Sequence, residues 1–158
     1  MKNKVLIFGI SGQDGSLLAN LLLSKDYEVF GVSRGITGNF TNLDTLGIKE
    51  KVFIHANNYN DSILLKKLLD TVSPDEIYYL SGQSSVGTSF IDPYETFISH
   101  NIVLLNILEY MRLNNSNIKL FNASSSEMFG DLDKSANEET PFSPKSPYAV
   151  AKTSAHNL

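Results

Sequence analysis

The stretch Ser146-Pro147-Tyr148-Ala149-Val150-Ala151-Lys152 carries two side chains able to move a proton. Proline favours the first turn of a helix, so a helix begun at Pro147 makes Tyr148 and Lys152, four residues apart, neighbours on one face. A tyrosine near pKa 10 is a poor base at neutral pH, but an adjacent ammonium favours the phenolate and lowers that value. Together they can take a proton from a substrate hydroxyl. The same spacing is also that of a solvated helix face, and the two residues alone leave both readings open. Upstream, Ala123-Ser124-Ser125-Ser126-Glu127 directly follows a short strand-like run. The carboxyl end of a strand is where open α/β sheets bind ligands, although serines in a row also make polar loops and helix caps. Glu127 taken singly reads as a surface carboxylate.

A third stretch, Val5-Leu6-Ile7-Phe8-Gly9-Ile10-Ser11-Gly12-Gln13-Asp14-Gly15-Ser16, reads as strand, turn and helix. Four apolar residues without alternation suit a strand buried on both faces of a parallel sheet. Gly9 would make the tight turn, Gly12 would let backbone approach a pyrophosphate, and Gly15 would let the helix pack close to the strand. Amides at the helix start, and its dipole, favour an anion there. A glycine-rich turn with no ligand is the other reading, because the usual fingerprint is G-x-G-x-x-G and this one is G-x-x-G-x-x-G.

These residues need elements to hold them. Leu17, Leu18, Leu21 and Leu22 fall at helical spacing, which predicts a first helix over 15–25. A second strand follows over 27–33, then a loop or very short helix over 35–47 and a third strand over 51–55. Asp61 caps a helix whose apolar face is Ile63, Leu64, Leu68 and Leu69. Pro74-Asp75 breaks it, and a fourth strand runs over 76–80. Asp92-Pro93 opens a long helix to about 113, a fifth strand occupies 117–122, and 130–146 is a loop leading to Pro147. Strands alternating with helices predict an α/β fold with a doubly wound parallel sheet.

The end of the second strand bears on the ligand. In NAD-binding units an acidic residue there bonds the ribose 2′-hydroxyl, whereas an arginine accommodates a 2′-phosphate. Val32-Ser33-Arg34 has no acid, so Arg34 predicts NADP in preference to NAD. A solvated surface arginine is the alternative.

Composition narrows the field. With 158 residues, 42% of them apolar and 19% charged, the chain is one ordinary globular domain. A net charge of −4 argues against a nucleic-acid partner. No run reaches the length that spans a bilayer, and Met-Lys-Asn-Lys leads straight into a strand without a signal-peptide pattern, so a cytoplasmic protein is expected. Zero cysteines exclude disulfides and thiol catalysis. His55, His100 and His156 are too scattered to suggest a metal site.

The order of these pieces resembles the extended short-chain dehydrogenase/reductases, and within them the GDP-mannose 4,6-dehydratase family. The resemblance rests on Gly-Ile-Ser-Gly-Gln-Asp-Gly-Ser (9–16), Pro-Asp-Glu-Ile-Tyr (74–78), Gln-Ser-Ser-Val-Gly-Thr-Ser-Phe (83–90), Ser-Ser-Ser-Glu-Met-Phe-Gly (124–130) and Thr-Pro-Phe-Ser-Pro-Lys-Ser-Pro-Tyr-Ala-Val-Ala-Lys (140–152). It implies a Rossmann domain over 1–158 that holds NADP through Gly9, Ile10, Ser11, Gly12, Gln13, Asp14, Gly15, Arg34, Asn58, Tyr59, Leu80, Ser81, Gly82, Gln83, Ser84, Tyr148 and Lys152. It implies Ser125, Glu127, Tyr148 and Lys152 as catalytic residues, with Ser85, Val86, Ser125 and Glu127 on a nucleotide sugar, GDP-mannose before others. In that scheme Tyr148 deprotonates the sugar 4-hydroxyl, Lys152 tunes it and holds the nicotinamide ribose, and Ser125 hydrogen-bonds the same oxygen. Glu127 moves the C5 proton, which a C4 ketone acidifies. No metal is implied, and the whole enzyme is expected to be a homo-oligomer.

The chain departs from the family in four places. Ser125 stands where threonine is usual, Gly35 replaces the second of two paired arginines, and Asn58 matches an expected aspartate. The family continues far beyond the lysine, whereas this sequence ends at Leu158, so a missing sugar-nucleotide part and an inactive fragment are expected. Another nucleotide-sugar epimerase, dehydratase or reductase of the same branch, or a cofactor-binding fragment without catalysis, are the alternatives.

Overall fold

In a computed structural model the structure describes residues 2–33, 40–56, 58–114 and 117–158. Among these residues five strands, β1 (Lys4–Phe8), β2 (Glu28–Ser33), β3 (Phe53–Ala56), β4 (Glu76–Tyr79) and β5 (Lys119–Asn122), form one sheet in the order β3-β2-β1-β4-β5. Every pairing is parallel: Phe8 sits beside Val32 and Tyr79, Val32 beside His55, and Tyr79 beside Asn122. The chain winds outward from β1 to β3 on one side, returns, and continues through β4 and β5 on the other. The order therefore reverses between β1 and β4, the place where such sheets open a crevice at their carboxyl ends.

Among the described residues six α-helices accompany the sheet: α1 (Gln13–Ser24), α2 (Thr41–Thr45), α3 (Ser62–Val72), α4 (Val86–Ile91), α5 (Pro93–Leu113) and α6 (Pro147–His156). Alternation along β1 splits the core in two. Val5 and Ile7 pack with Ile10, Ala19, Leu22 and Leu43 on one face, and Leu6 and Phe8 pack with Leu65, Leu69, Leu104 and Ile107 on the other. Burial on both sides explains why β1 carries an unbroken apolar run.

Side-chain caps start three of the helices where the sequence placed them. Asp61 Oδ1 accepts from the amides of Ile63 at 2.7 Å and Leu64 at 3.2 Å, Asp92 Oδ1 from Glu95 at 2.9 Å, and Ser146 Oγ from Ala149 at 3.1 Å. Two expected apolar faces differ. In α3 the buried stripe is Leu65, Leu68, Leu69 and Val72, while Ile63 in the first turn points to solvent. In α1 the buried residues are Gly15, Ser16, Ala19 and Leu22, and Leu17 and Leu21 are half exposed. The cause is Gly15, whose contact with the preceding turn fixes which side of the helix faces the sheet. Helix α4, ahead of the Asp92 cap, was not expected.

Candidate functional site

The turn after β1 is built on absent side chains. Gly9 holds φ at +87°, and a Cβ there would press on the Leu80 carbonyl and the Ser81 nitrogen at 3.1 Å. A Cβ on Gly15 would overlap the Gly9 carbonyl oxygen, so α1 comes as close to the turn as only glycine permits. Gly12 donates its amide to Gly9 O at 3.0 Å and caps α1 without a side chain, which leaves the first-turn amides uncovered by a cap. That is the cradle an anion requires.

The turn forms one wall of a cleft of about 250 Å³. Ser11, Gly12, Ser33, Asn58, Tyr59 and Asn60 surround it on the β2 and β3 side, and Ser81, Gly82, Glu95, Ser99 and Val103 on the β4 and α5 side. Phe8, Val32 and Tyr79 close its floor. Tyr59 also belongs to the core, edge-on to Phe8 with ring centroids 6.5 Å apart, and burial raises the pKa of its hydroxyl. Ile10 is wholly buried, so only its backbone can reach a ligand. Gln13 and Asp14 are exposed at the start of α1.

Tyr148 and Lys152 do not lie on a solvated face: both are buried, at 9% and 8% exposure. The Lys152 ammonium donates to the Ala123 carbonyl at 2.9 Å, at the end of β5, and stands 5.9 Å from the centre of the Tyr148 ring. Burial draws its pKa below the ordinary lysine value. Helix α6 is thereby tied to the strand end that leads into the serines. Ser125 Oγ accepts from the Glu127 amide at 3.2 Å and caps a single 3₁₀ turn, Ser126–Phe129, on which Glu127 is exposed. Ser124 Oγ meets His156 Nδ1 at 2.9 Å. Ser85 caps α4 by accepting from the Thr88 amide at 3.2 Å, Val86 is its first residue, and α4 packs on α6.

Between cleft and α6 lies His100, 2% exposed. Its Nε2 is 2.7 Å from the Gln83 carbonyl oxygen, and its ring stands edge-on to Tyr148 at 5.4 Å. Burial first, and the Lys152 ammonium second, push its pKa down to about 4.

The sequence model of the GDP-mannose 4,6 dehydratase family matches residues 6–158. The chain belongs to that family. A GDP-mannose 4,6-dehydratase of Vibrio cholerae is 40% identical over 165 residues, which cover 99% of this chain and 44% of the relative. A GDP-mannose 4,6 dehydratase of Drosophila melanogaster is 41% identical over 157 residues, 93% of this chain and 40% of the relative. The chain thus spans less than half the length of the curated relatives it matches. Among solved structures, a UDP-glucose 4-epimerase of Thermus thermophilus in complex with NAD superposes with a TM-score of 0.85 at 27% identity, covering 98% of this chain and 49% of that one. The fold is that of NAD-binding epimerases and dehydratases.

Of the positions the family resemblance named for a cofactor, Gly9, Ser11, Gly12, Asn58, Tyr59, Ser81 and Gly82 line the cleft together. Gly15 acts one layer behind by letting α1 approach, and Leu80 backs the turn through its carbonyl. Gln83 and Ser84 lie beyond the cleft in the loop to α4. Arg34 and Gly35 are outside the described residues. Ser33, Asn60, Glu95 and Ser99 also line the cleft and were not named from the sequence. The 95, 99, 103 series, every fourth residue of α5, was the available signal. Among the described residues no three His, Cys, Asp or Glu side chains group as a metal site, and no helix is long and apolar enough to cross a membrane.

Proposed function

We propose that the chain is the cofactor-binding part of an NADP-dependent GDP-mannose 4,6-dehydratase, which converts GDP-mannose to GDP-4-keto-6-deoxymannose. The glycine cradle fits a dinucleotide: Gly12 and the uncapped α1 amides would meet its pyrophosphate, and Asn58, Ser81 and Gly82 would flank its two halves. When bound, the nicotinamide supplies a reversible hydride acceptor that is used without net consumption. Arg34 would meet the 2′-phosphate.

The protein's own share is the handling of protons. Tyr148 receives the proton of the sugar 4-hydroxyl, and Ser125, whose Oγ accepts from the Glu127 amide, keeps its own O–H to donate to that oxygen. Lys152 holds Tyr148 in an electropositive setting and is itself fixed by the Ala123 carbonyl. Glu127, exposed on its 3₁₀ turn, takes the C5 proton once the C4 ketone has acidified it and assists loss of the 6-hydroxyl in this reading. The observation that carries the reading is the buried Lys152 ammonium, bonded to a strand-end carbonyl and 5.9 Å from the phenol ring. A merely solvated Tyr-x-x-x-Lys pair would not be built this way. The name GDP-mannose 4,6-dehydratase carried by the relatives at 40% and 41% identity supports the choice of substrate.

The test uses the whole protein with GDP-mannose and NADP. Tyr148→Phe should lower kcat by roughly two to four orders of magnitude with cofactor affinity little changed. Glu127→Gln should leave oxidation at C4 intact yet stop elimination. A Glu127→Gln protein that releases the 6-deoxy product at the unmodified rate refutes that role.

A further inference from the structure

We propose that His100 is a positioning residue that fixes the loop after β4 and the ring of Tyr148 relative to one another. Two consecutive residues of α5 hold both backbone groups of Gln83. The Gln83 amide donates to Ser99 Oγ at 3.1 Å, and the Gln83 carbonyl lies 2.7 Å from His100 Nε2. A carbonyl only accepts, so Nε2 carries the proton and the imidazole is a donor on that side. Helix α5 is in turn locked to the strand below, because the buried Tyr79 hydroxyl donates to the Ser99 carbonyl at 2.8 Å.

Two further neighbours pack on the imidazole. Gly82 holds φ at +135°, and any Cβ there would run into the ring, so this glycine and this histidine fit only as a pair. From α6, the Tyr148 ring meets the imidazole edge-on at 75°, and Lys152 contributes the nearby positive charge. One residue therefore touches the loop that lines the cleft and the phenol beside it. The role rests on the reading of Tyr148 as proton acceptor, while the contact with the loop does not.

Three variants separate the two contacts. His100→Gln retains an N–H for the Gln83 carbonyl and loses the ring, His100→Phe retains a ring against Tyr148 and loses the donor, and His100→Ala loses both. NADPH affinity is read on this chain from the emission of the reduced nicotinamide, and kcat and KM on the whole protein with GDP-mannose. In His100→Ala, the NADPH Kd should rise about ten-fold and kcat fall at least about ten-fold, with KM within about two-fold. The rescue should be crossed: Gln restores Kd without kcat, and Phe restores kcat without Kd. Unchanged Kd and kcat in His100→Ala, or a parallel fall of both in all three variants together with the melting temperature, overturns the proposal. If the unmodified whole protein does not dehydrate GDP-mannose, the functional reading fails. The Kd series then decides alone, recovery in Gln supporting the clamp and no change in any variant overturning it.

Discussion

Acidification should destabilise this protein through His100. Its neutral imidazole is held near pKa 4 by burial first and by Lys152 second, against about 6.5 for a free histidine, while the Gln83 carbonyl pulls in the other direction. Between those two values the unfolded chain binds a proton that the folded chain refuses. The stability is therefore full above 6.5 and is lost as pH falls toward 4. At roughly 1.4 kcal/mol per pH unit, the whole interval is worth about 3 kcal/mol, and the part between pH 7 and 5 about 2 kcal/mol. Against a total of about 5–15 kcal/mol for a domain, that is a measurable share. The assay is urea unfolding at pH 8, 7, 6 and 5, followed by far-ultraviolet circular dichroism because the chain has no tryptophan. His100→Gln provides the reference. Subtracting its curve removes the contribution of His55, whose pKa burial also lowers, and that of the carboxylates. Proton NMR supplies the direct check: of three imidazole signals, the one absent from His100→Gln should titrate near pH 4. Lys152→Met should move that midpoint part of the way toward 6.5, since burial, the larger cause, remains. Equal pH slopes in the two proteins, or a His100 signal titrating at 6.5, would refute the reasoning.

In an NADP and NAD titration of this chain, Arg34→Ala should erase most of a preference for NADP that a charge-assisted phosphate contact sets at roughly 1.5 to 3 kcal/mol. Equal affinities in the unmodified protein would remove the arginine argument. Gly15→Ala should abolish NADP binding and lower the melting temperature, because the new methyl meets the Gly9 carbonyl and neither backbone can give way. Asp92→Ala should cost about 1 kcal/mol in urea unfolding by leaving the Glu95 amide uncapped, with cofactor affinity unchanged.

The fold was largely legible because its determinants are local. The unbroken apolar run of β1, the Asp61 and Asp92 caps and the prolines at 93 and 147 each act within a few residues, and α5 and α6 begin where those signals say. What misled was the assumption that the most apolar stripe of a helix faces inward. Leu17 and Leu21 are larger and more apolar than Ser16 and Ala19, yet they point outward. The contact of Gly15 with Gly9 sets the rotation of α1, and a spacing of leucines cannot override a backbone collision.

The site divides along the same line. The glycine turn and the Tyr148–Lys152 pair could be read because each is a short motif whose geometry follows from one turn or one helix. Their burial could not, since Lys152 is drawn inward by the Ala123 carbonyl, 29 residues away in the chain. His100 is the extreme case. As a lone histidine in a helix it reads as a surface or packing residue, and its partners, Gln83 at 17 residues' separation and Tyr148 at the start of α6, come to it only when the sheet is assembled. Gly82, named from the sequence only as a cofactor position, is the residue that packs on it. Its φ of +135° already calls for glycine, and only the fold shows that an imidazole also fills the space a Cβ would take. The half of the site proposed to move protons thus depends on contacts across the sheet, whereas the half that would hold an anion is written within seven consecutive residues, 9–15.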